Sequence, residues 1–285
     1  MSANLGGSHE NLAGQVALVT GGGRGIGRAC ARALAEHGVK VAVMSRTEAE
    51  VRTTAEEIER AGGRAIAIPG DVTDQQAVER IVVITEAELG PIDLLVNNAA
   101  VIRVAAITAV DADAWWRDVE INLRGPFLVT QAVLGGKVAR RRGRIINVVS
   151  LGGMHRPPSA TSAYAVSKAG LIWLTASIAV EAESSGVVAF AINPGFVRTS
   201  MSGYLHDSDE VGRWSPELQM NVRQSFAEGD TTPIERPAEL VLRLASGQAD
   251  ALSGCFLDVD DDLDALVAQA EVIQREGRLR MRRID

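Results

Sequence analysis

Short apolar runs rich in Val, Ile and Ala recur along the chain, separated by longer segments of helical composition. The runs predict strands at 16–20, 39–44, 65–68, 92–96, 144–149, 187–192 and 255–259. Between them the pattern predicts helices over 25–37, 48–61, 74–89, 113–142, 163–183, 237–245 and 262–275. Gly38, Gly62-Gly63 and Gly90-Pro91 stop the first three, as expected of residues that accept a left-handed cap or lack a donor. Gly125-Pro126 and Gly135-Gly136 are weak points in the long fourth helix. Runs that are apolar throughout suit strands buried on both faces. Strands alternating with helices imply right-handed βαβ units. The expected fold class is α/β: one doubly wound parallel sheet of about seven strands, with helices on both faces. No linker interrupts 13–260, which reads as one domain. Residues 1–12 are expected to be flexible and 261–285 to form a helical tail. Residues 200–232 are polar and mixed, without clear periodicity. In a compact domain such a stretch marks a lid.

The 285 residues are 46% hydrophobic and 23% charged, enough for a sizeable core. A formal net charge of −7 argues against general affinity for nucleic acid or anionic membranes. The two cysteines, Cys30 and Cys255, have no metal-like or redox spacing and fit a reducing compartment. Residues 1–11 lack the apolar run of a signal peptide. No apolar stretch is expected to reach the ~18 residues a membrane helix needs. A soluble cytoplasmic protein is expected. Asp258, Asp260 and Asp262 alternate like the start of a calcium loop, but Leu263 holds the place of its glycine and Gln269 that of its closing glutamate. No metal is expected.

The first strand runs into Thr20-Gly21-Gly22-Gly23-Arg24-Gly25-Ile26-Gly27 and then a helix. Glycines let the backbone turn sharply and approach an anion closely. The helix start offers free N–H groups and a positive dipole end to a pyrophosphate. Gly21, Gly23, Arg24, Gly25, Ile26 and Gly27 are therefore candidate cofactor-binding residues. The spacing Gly-x-x-x-Gly-x-Gly differs from the usual dinucleotide fingerprint. With Thr20 before it, it resembles the short-chain dehydrogenase/reductase family. Asn97-Asn98-Ala99-Ala100 is similar to that family's Asn-Asn-Ala-Gly segment, and Asp71-Val72 to its adenine-side pair. Ala100 departs by replacing a glycine, and Asp260-Asp261-Asp262 stands where a glycine pair usually closes the last strand. The resemblance implies a single-domain Rossmann fold. It also implies hydride transfer between a nicotinamide cofactor and a carbonyl/secondary-alcohol pair. A homo-oligomer follows from it too: a tetramer, or a dimer if the tail after Val259 blocks one interface.

The second strand ends Val43-Met44-Ser45-Arg46. A carboxylate about 20 residues past the glycines would select NAD. Ser45 occupies that place and Arg46 follows it. A guanidinium without a competing acid favours a 2′-phosphate. With Arg24 nearby, NADP(H) is favoured over NAD(H).

Tyr164 and Lys168 form Tyr-x-x-x-Lys, one face of a helix at i and i+4. A free phenol has a pKa near ~10, and an adjacent ammonium is expected to lower it. Tyr164 can then act as general acid in reduction or base in oxidation. Ser150, at the carboxyl end of the fifth strand, can donate to a carbonyl oxygen as charge develops there. By the resemblance, Ser150 is the family's serine, and Asn122 would hold a water that relays protons to Lys168. The alternative, less favoured, is that Asn122 is a polar residue at a helix irregularity. Asn193-Pro194-Gly195-Phe196-Val197-Arg198-Thr199 follows the sixth strand. The resemblance puts Pro194, Gly195 and Val197 beside the nicotinamide, with Thr199 on its carboxamide.

Val101, Leu151, Met154, His155, Phe196, Met201, Tyr204 and Trp214 are candidate substrate contacts, mostly apolar, which suits a bulky ketone. A lone loop histidine such as His155 is more often solvated. Trp115, Trp116 and Trp173 serve either subunit pairing, by the resemblance, or internal packing. Two other functions stay open: a catalytically silent NADP-binding regulator on the same fold, and a 3-oxoacyl-thioester reductase.

Overall fold

The structure, a computed structural model, describes residues 12–281. The segment expected to be flexible, 1–12, lies outside the described residues except for Leu12, which is wholly buried in the core. Seven strands form one sheet: β1 Val16–Thr20, β2 Lys40–Ser45, β3 Arg64–Pro69, β4 Leu94–Asn97, β5 Gly143–Val148, β6 Val187–Asn193 and β7 Phe256–Asp258. Their order is β3-β2-β1-β4-β5-β6-β7, and every pairing is parallel. The chain winds outward in both directions from β1 and β4, where Thr20 lies beside Asn97. Crossovers leave these two strand ends on opposite sides, which opens a crevice there.

Period-two alternation decides which layer each strand residue joins. Ala17, Val19, Val41 and Val43 face α1 (Gly25–Glu36), α2 (Glu48–Arg60) and α10 (Glu235–Ala245). Val16, Leu18, Ala42 and Met44 face α3 (Gln75–Leu89), α5 (Gly125–Arg140) and α6 (Ser162–Ala182). Both faces are thus buried, which explains the apolar runs.

Four expectations are corrected. The helix predicted over 113–142 is α4 (Ala112–Val119), a π-helical turn Glu120–Arg124, and α5. Gly135-Gly136 does not break it, and it ends at Arg141 in the left-handed region, φ 53°. The aperiodic 200–232 contains three helices, α7 (Ser200–Asp207), α8 (Asp209–Trp214) and α9 (Pro216–Glu228): the first two are too short for a periodicity to stand out, and α9 buries only Gln219 and Val222, so its apolar face is narrow. The tail holds two helices broken at Gln269, α11 (Leu263–Ala268) and α12 (Ala270–Glu276), then returns to the sheet edge. There Phe256 N donates to Leu279 O at 2.8 Å, and Arg280 donates to Ser253 O at 3.3 Å. Arg280 is therefore packed against the turn that precedes β7. Finally, Ser162–Ser185 is long and apolar enough to cross a membrane by length and composition alone, with hydropathy 1.4. Half of that window is buried inside the fold: this is α6, apolar because its inner face packs in the core.

Lys137 on α5 was not singled out, yet it is 0% exposed and donates to Ile92 O at 2.7 Å. Burial pulls its pKa down to about 7, against the upward pull of Asp93 and Glu86. An unfolded lysine keeps its proton to about 10.4, so above pH 7 the unfolded chain binds more protons than the folded one. Stability from this group therefore rises with pH and is lost as pH falls through about 7. Lys137→Met is expected to flatten the rise in unfolding free energy between pH 7 and 8.5 relative to wild type. Urea titrations that give parallel pH curves for the two proteins would contradict this.

Candidate active site

The glycine loop is shaped by close approach. Gly21 has φ +63°, and a Cβ there would sit 2.8 Å from Asn98 Nδ2. A Cβ on Gly27 would lie 2.4 Å from Gly21 O, and one on Gly23 would lie 2.7 Å from Glu50 Cβ. Gly23 and Gly27 thus serve packing, while Gly21, Arg24, Gly25 and Ile26 line the crevice. Asn98 staples the loop to β4: its Nδ2 donates to Thr20 O and Gly21 O, and Thr20 Oγ1 accepts from the Asn98 and Ala99 N–H groups. No side chain caps the start of α1, so its first N–H groups stay available to an anion.

The crevice is a cavity of about 810 Å³ that runs from Arg46 to Tyr204. Ser45, Arg46, Asp71 and Val72 line one end, and Asn98, Ala99 and Ala100 the middle. Arg24 lies 3.6 Å from Glu50, whereas Arg46 faces Asp71 without a direct ion pair. Burial alone would raise the Asp71 carboxyl. Hydrogen bonds from Thr73 and the charges of Arg117 and Arg46 outweigh it and hold the group below its usual value.

At the other end, Tyr164 and Lys168 on α6 meet Ser150 beyond β5. Lys168 is 2% exposed, donates to Val148 O at 2.7 Å, and has its Nζ 5.6 Å from the Tyr164 ring centre. Burial pulls its pKa down to about 8. The expected lowering of the Tyr164 phenol is not what the structure shows. Burial raises it, and only the Ser150 hydrogen bond pulls it down. Ser150 begins a 3-10 turn, Leu151–Gly153, its Oγ accepting from Gly152 N at 3.2 Å.

Asn122 sits in the π-helical turn, fully buried, and does not line the cavity. Its Oδ1 accepts from Val101 N at 2.8 Å, and its Nδ2 donates to Val101 O and Ser167 Oγ. Both amide hydrogens are used, so the side chain braces the Val101 loop against α6.

Pro194, Gly195, Val197 and Thr199 line the cavity after β6. Gly195, at φ +75°, lies where a Cβ would collide with Thr232 Oγ1 at 2.2 Å. Thr199 caps α7 through Ser202 N. Its methyl would also touch a Cβ placed on Gly25 at 3.3 Å, so α7 begins against the glycine loop.

Of the substrate candidates, Val101, Phe196, Met201 and Tyr204 line the cavity. Leu151, Met154, His155 and Trp214 do not: Met154 packs beneath Val149 and Leu171, Trp214 packs with Val211 and Val222 in one apolar cluster, and Leu151 and His155 face outward. Helices α7 and α9 instead contribute Leu205, Leu218 and Val222. The i, i+4 spacing of Leu218 and Val222 after Ser215-Pro216 was the available signal. Tyr204 OH lies 3.5 Å from Val104 N, so α7 bridges to the opposite wall. Among the described residues no cluster of His, Cys, Asp or Glu could hold a metal.

Known proteins agree with this geometry. The family model for short chain dehydrogenase matches residues 15–210. A short chain dehydrogenase of Pseudocercospora fijiensis is 35% identical over 263 residues, 91% of this chain and 84% of the relative. A 3-oxoacyl-[acyl-carrier-protein] reductase of Vibrio harveyi is 36% identical, covering 88% of this chain and 97% of its own. The crystal structure of an actinorhodin polyketide ketoreductase variant with NADPH superposes with a TM-score of 0.78 at 33% identity, covering 86% of this chain and 95% of that one. Sheet order, glycine loop and these alignments agree: the chain belongs to the short-chain dehydrogenase/reductase family, oxidoreductases that bind a nicotinamide cofactor.

Proposed function

We propose that this protein reduces a bulky hydrophobic ketone to a secondary alcohol with NADPH. The observation that carries this reading is the meeting of Ser150, Tyr164 and Lys168 at one end of a cavity whose other end holds Arg46 and no acid at the Ser45 place. A dinucleotide fits: the Gly21 turn leaves no room for a side chain, and the uncapped start of α1 faces the cavity. When bound, the cofactor supplies the hydride to the carbonyl carbon. Ser150 Oγ donates a hydrogen bond to the carbonyl oxygen, and Tyr164 delivers the proton to that oxygen as charge builds there. Burial holds the phenol above its ordinary value, so it is the protonated form that meets the carbonyl oxygen. Lys168, fixed by Val148 O, supplies positive charge to the phenolate left behind. Val101, Phe196, Met201 and Tyr204 form an apolar chamber suited to a hydrophobic substrate. NADPH oxidation followed by the loss of reduced-nicotinamide absorbance with a panel of aromatic and aliphatic ketones tests the reading.

A 3-oxoacyl thioester is the second reading, favoured by the Vibrio harveyi relative. A 3-oxoacyl thioester in the same panel separates the two. Exposed Trp116, Phe127, Val166, Trp173 and Val180 lie on α4, α5 and α6, which supports a homo-oligomer, a tetramer or a dimer. Light scattering at micromolar concentration is expected to give a multiple of the 30.2 kDa chain mass; a monomeric mass would refute it.

A further inference from the structure

The ends of β6 and β7 carry a side-chain pair that the reaction described above does not use. Asn193 and Asp258 are register partners in the parallel ladder. Asn193 is 6% exposed and borders the cavity. Its Nδ2 donates to Asp258 Oδ2 at 2.8 Å, and its Oδ1 accepts from Leu151 N at 3.3 Å. Leu151 follows Ser150 directly, and Val149 on the other side is tied to Ile192 O at 2.8 Å. The backbone on both sides of Ser150 is thus held from β6.

We infer that Asp258 is a positioning residue: it fixes which way the Asn193 amide points, so that Asn193 Oδ1 holds Leu151 N–H and with it the Ser150 turn. The inference rests on the proposed role of Ser150. An amide offers a donor on one side and an acceptor on the other, and its flip exchanges them. A carboxylate only accepts. With Asp258 on one side, the amide hydrogens must face it, and the oxygen must face Leu151 N–H. The opposite orientation would set donor against donor at Leu151 and acceptor against acceptor at Asp258. Asp258 is itself held, its Oδ1 accepting from Asp260 N at 3.0 Å and its own N–H donating to Asp261 Oδ2 at 2.7 Å. The acidic end of β7, which departs from the family's glycine pair, thereby anchors the acceptor.

A side-chain exchange tests this. In Asn193→Asp two carboxylates face each other, and the group accepting from Leu151 is pushed away. In Asn193→Asp with Asp258→Asn, all three hydrogen bonds return. The new amide donates to residue 193 and accepts from Asp260 N, and the relocated carboxylate accepts from Leu151 N. We expect Asn193→Asp to lower kcat by about 10–100-fold, the range of a lost charge-assisted bond, with a smaller change in NADPH Kd. The exchanged pair should recover kcat to within about threefold of wild type, against that same range. Hydrogen exchange at the Leu151 amide should quicken in Asn193→Asp and return to wild-type protection in the exchanged pair. This readout needs no substrate. A wild type that reduces no ketone defeats the enzymatic reading, and the Leu151 amide then decides the positioning alone. An exchanged pair no better than Asn193→Asp in Leu151 protection overturns the inference, as does recovered protection without recovered kcat in an active enzyme.

Discussion

Tyr164→Phe is expected to abolish ketone reduction while leaving NADPH binding nearly unchanged. The substitution removes one hydroxyl and keeps the ring that sits with Lys168 and Ser150 at the cavity end. Ser150, the neighbouring hydroxyl, is an aliphatic alcohol: it can donate a hydrogen bond to the carbonyl oxygen but does not serve as a proton-transferring acid. General acid–base groups contribute roughly 10²–10⁴-fold, and a sole donor lies at the upper end. Removing the hydroxyl also frees Ser150 from its hydrogen bond to the phenol, so substrate binding should change little. Steady-state kcat with a ketone from the panel and NADPH Kd by fluorescence check this. A kcat near wild type would remove Tyr164 from the proton-donor role.

Arg46→Asp is expected to turn cofactor preference from NADPH toward NADH. Arg46 lines the cavity at the end of β2 beside Ser45, and Asp71 is the acid whose charge it feels. A 2′-phosphate there would lose a charge-assisted partner and meet a repelling carboxylate. Such hydrogen bonds are worth about 1.5–3 kcal/mol, so a tenfold to hundredfold loss of NADPH affinity follows. NADH carries no phosphate at that position, and the new carboxylate can accept its ribose hydroxyls. Arg24 is exposed and already lies near Glu50, so it is free to compensate only in part. The double variant with Arg24→Ala should lose the remainder. Calorimetric Kd values for both cofactors at fixed salt test the pair. Equal weakening of NADPH and NADH, or a wild type that prefers NADH, would remove Arg46 as the selecting residue.

The parallel sheet, its crevice and the family were determined by the sequence alone. The signals are local: apolar runs mark strands buried on both faces, the glycine loop joins the first strand to a helix, and Tyr164 and Lys168 share a helix face through i, i+4 geometry. Each needs only residues close together in the chain, so spacing suffices to read it. What lies across the fold had to come from tertiary structure. Asn122 is buried against Val101 and Ser167, which are 21 and 45 residues away, and only the π-helical turn turns its amide toward them. Leu151, Met154, His155 and Trp214 lie close in sequence to cavity residues, yet the 3-10 turn and the packing among α7, α8 and α9 direct them elsewhere. Lys137 has the composition of a surface residue, and its burial depends on how α5 meets the start of β4. The Tyr164 phenol moved opposite to expectation because spacing reveals a neighbouring charge but not the desolvation that competes with it. Desolvation, amide orientation and the direction of a turn depend on every element packed around a residue, and a one-dimensional pattern does not contain that information.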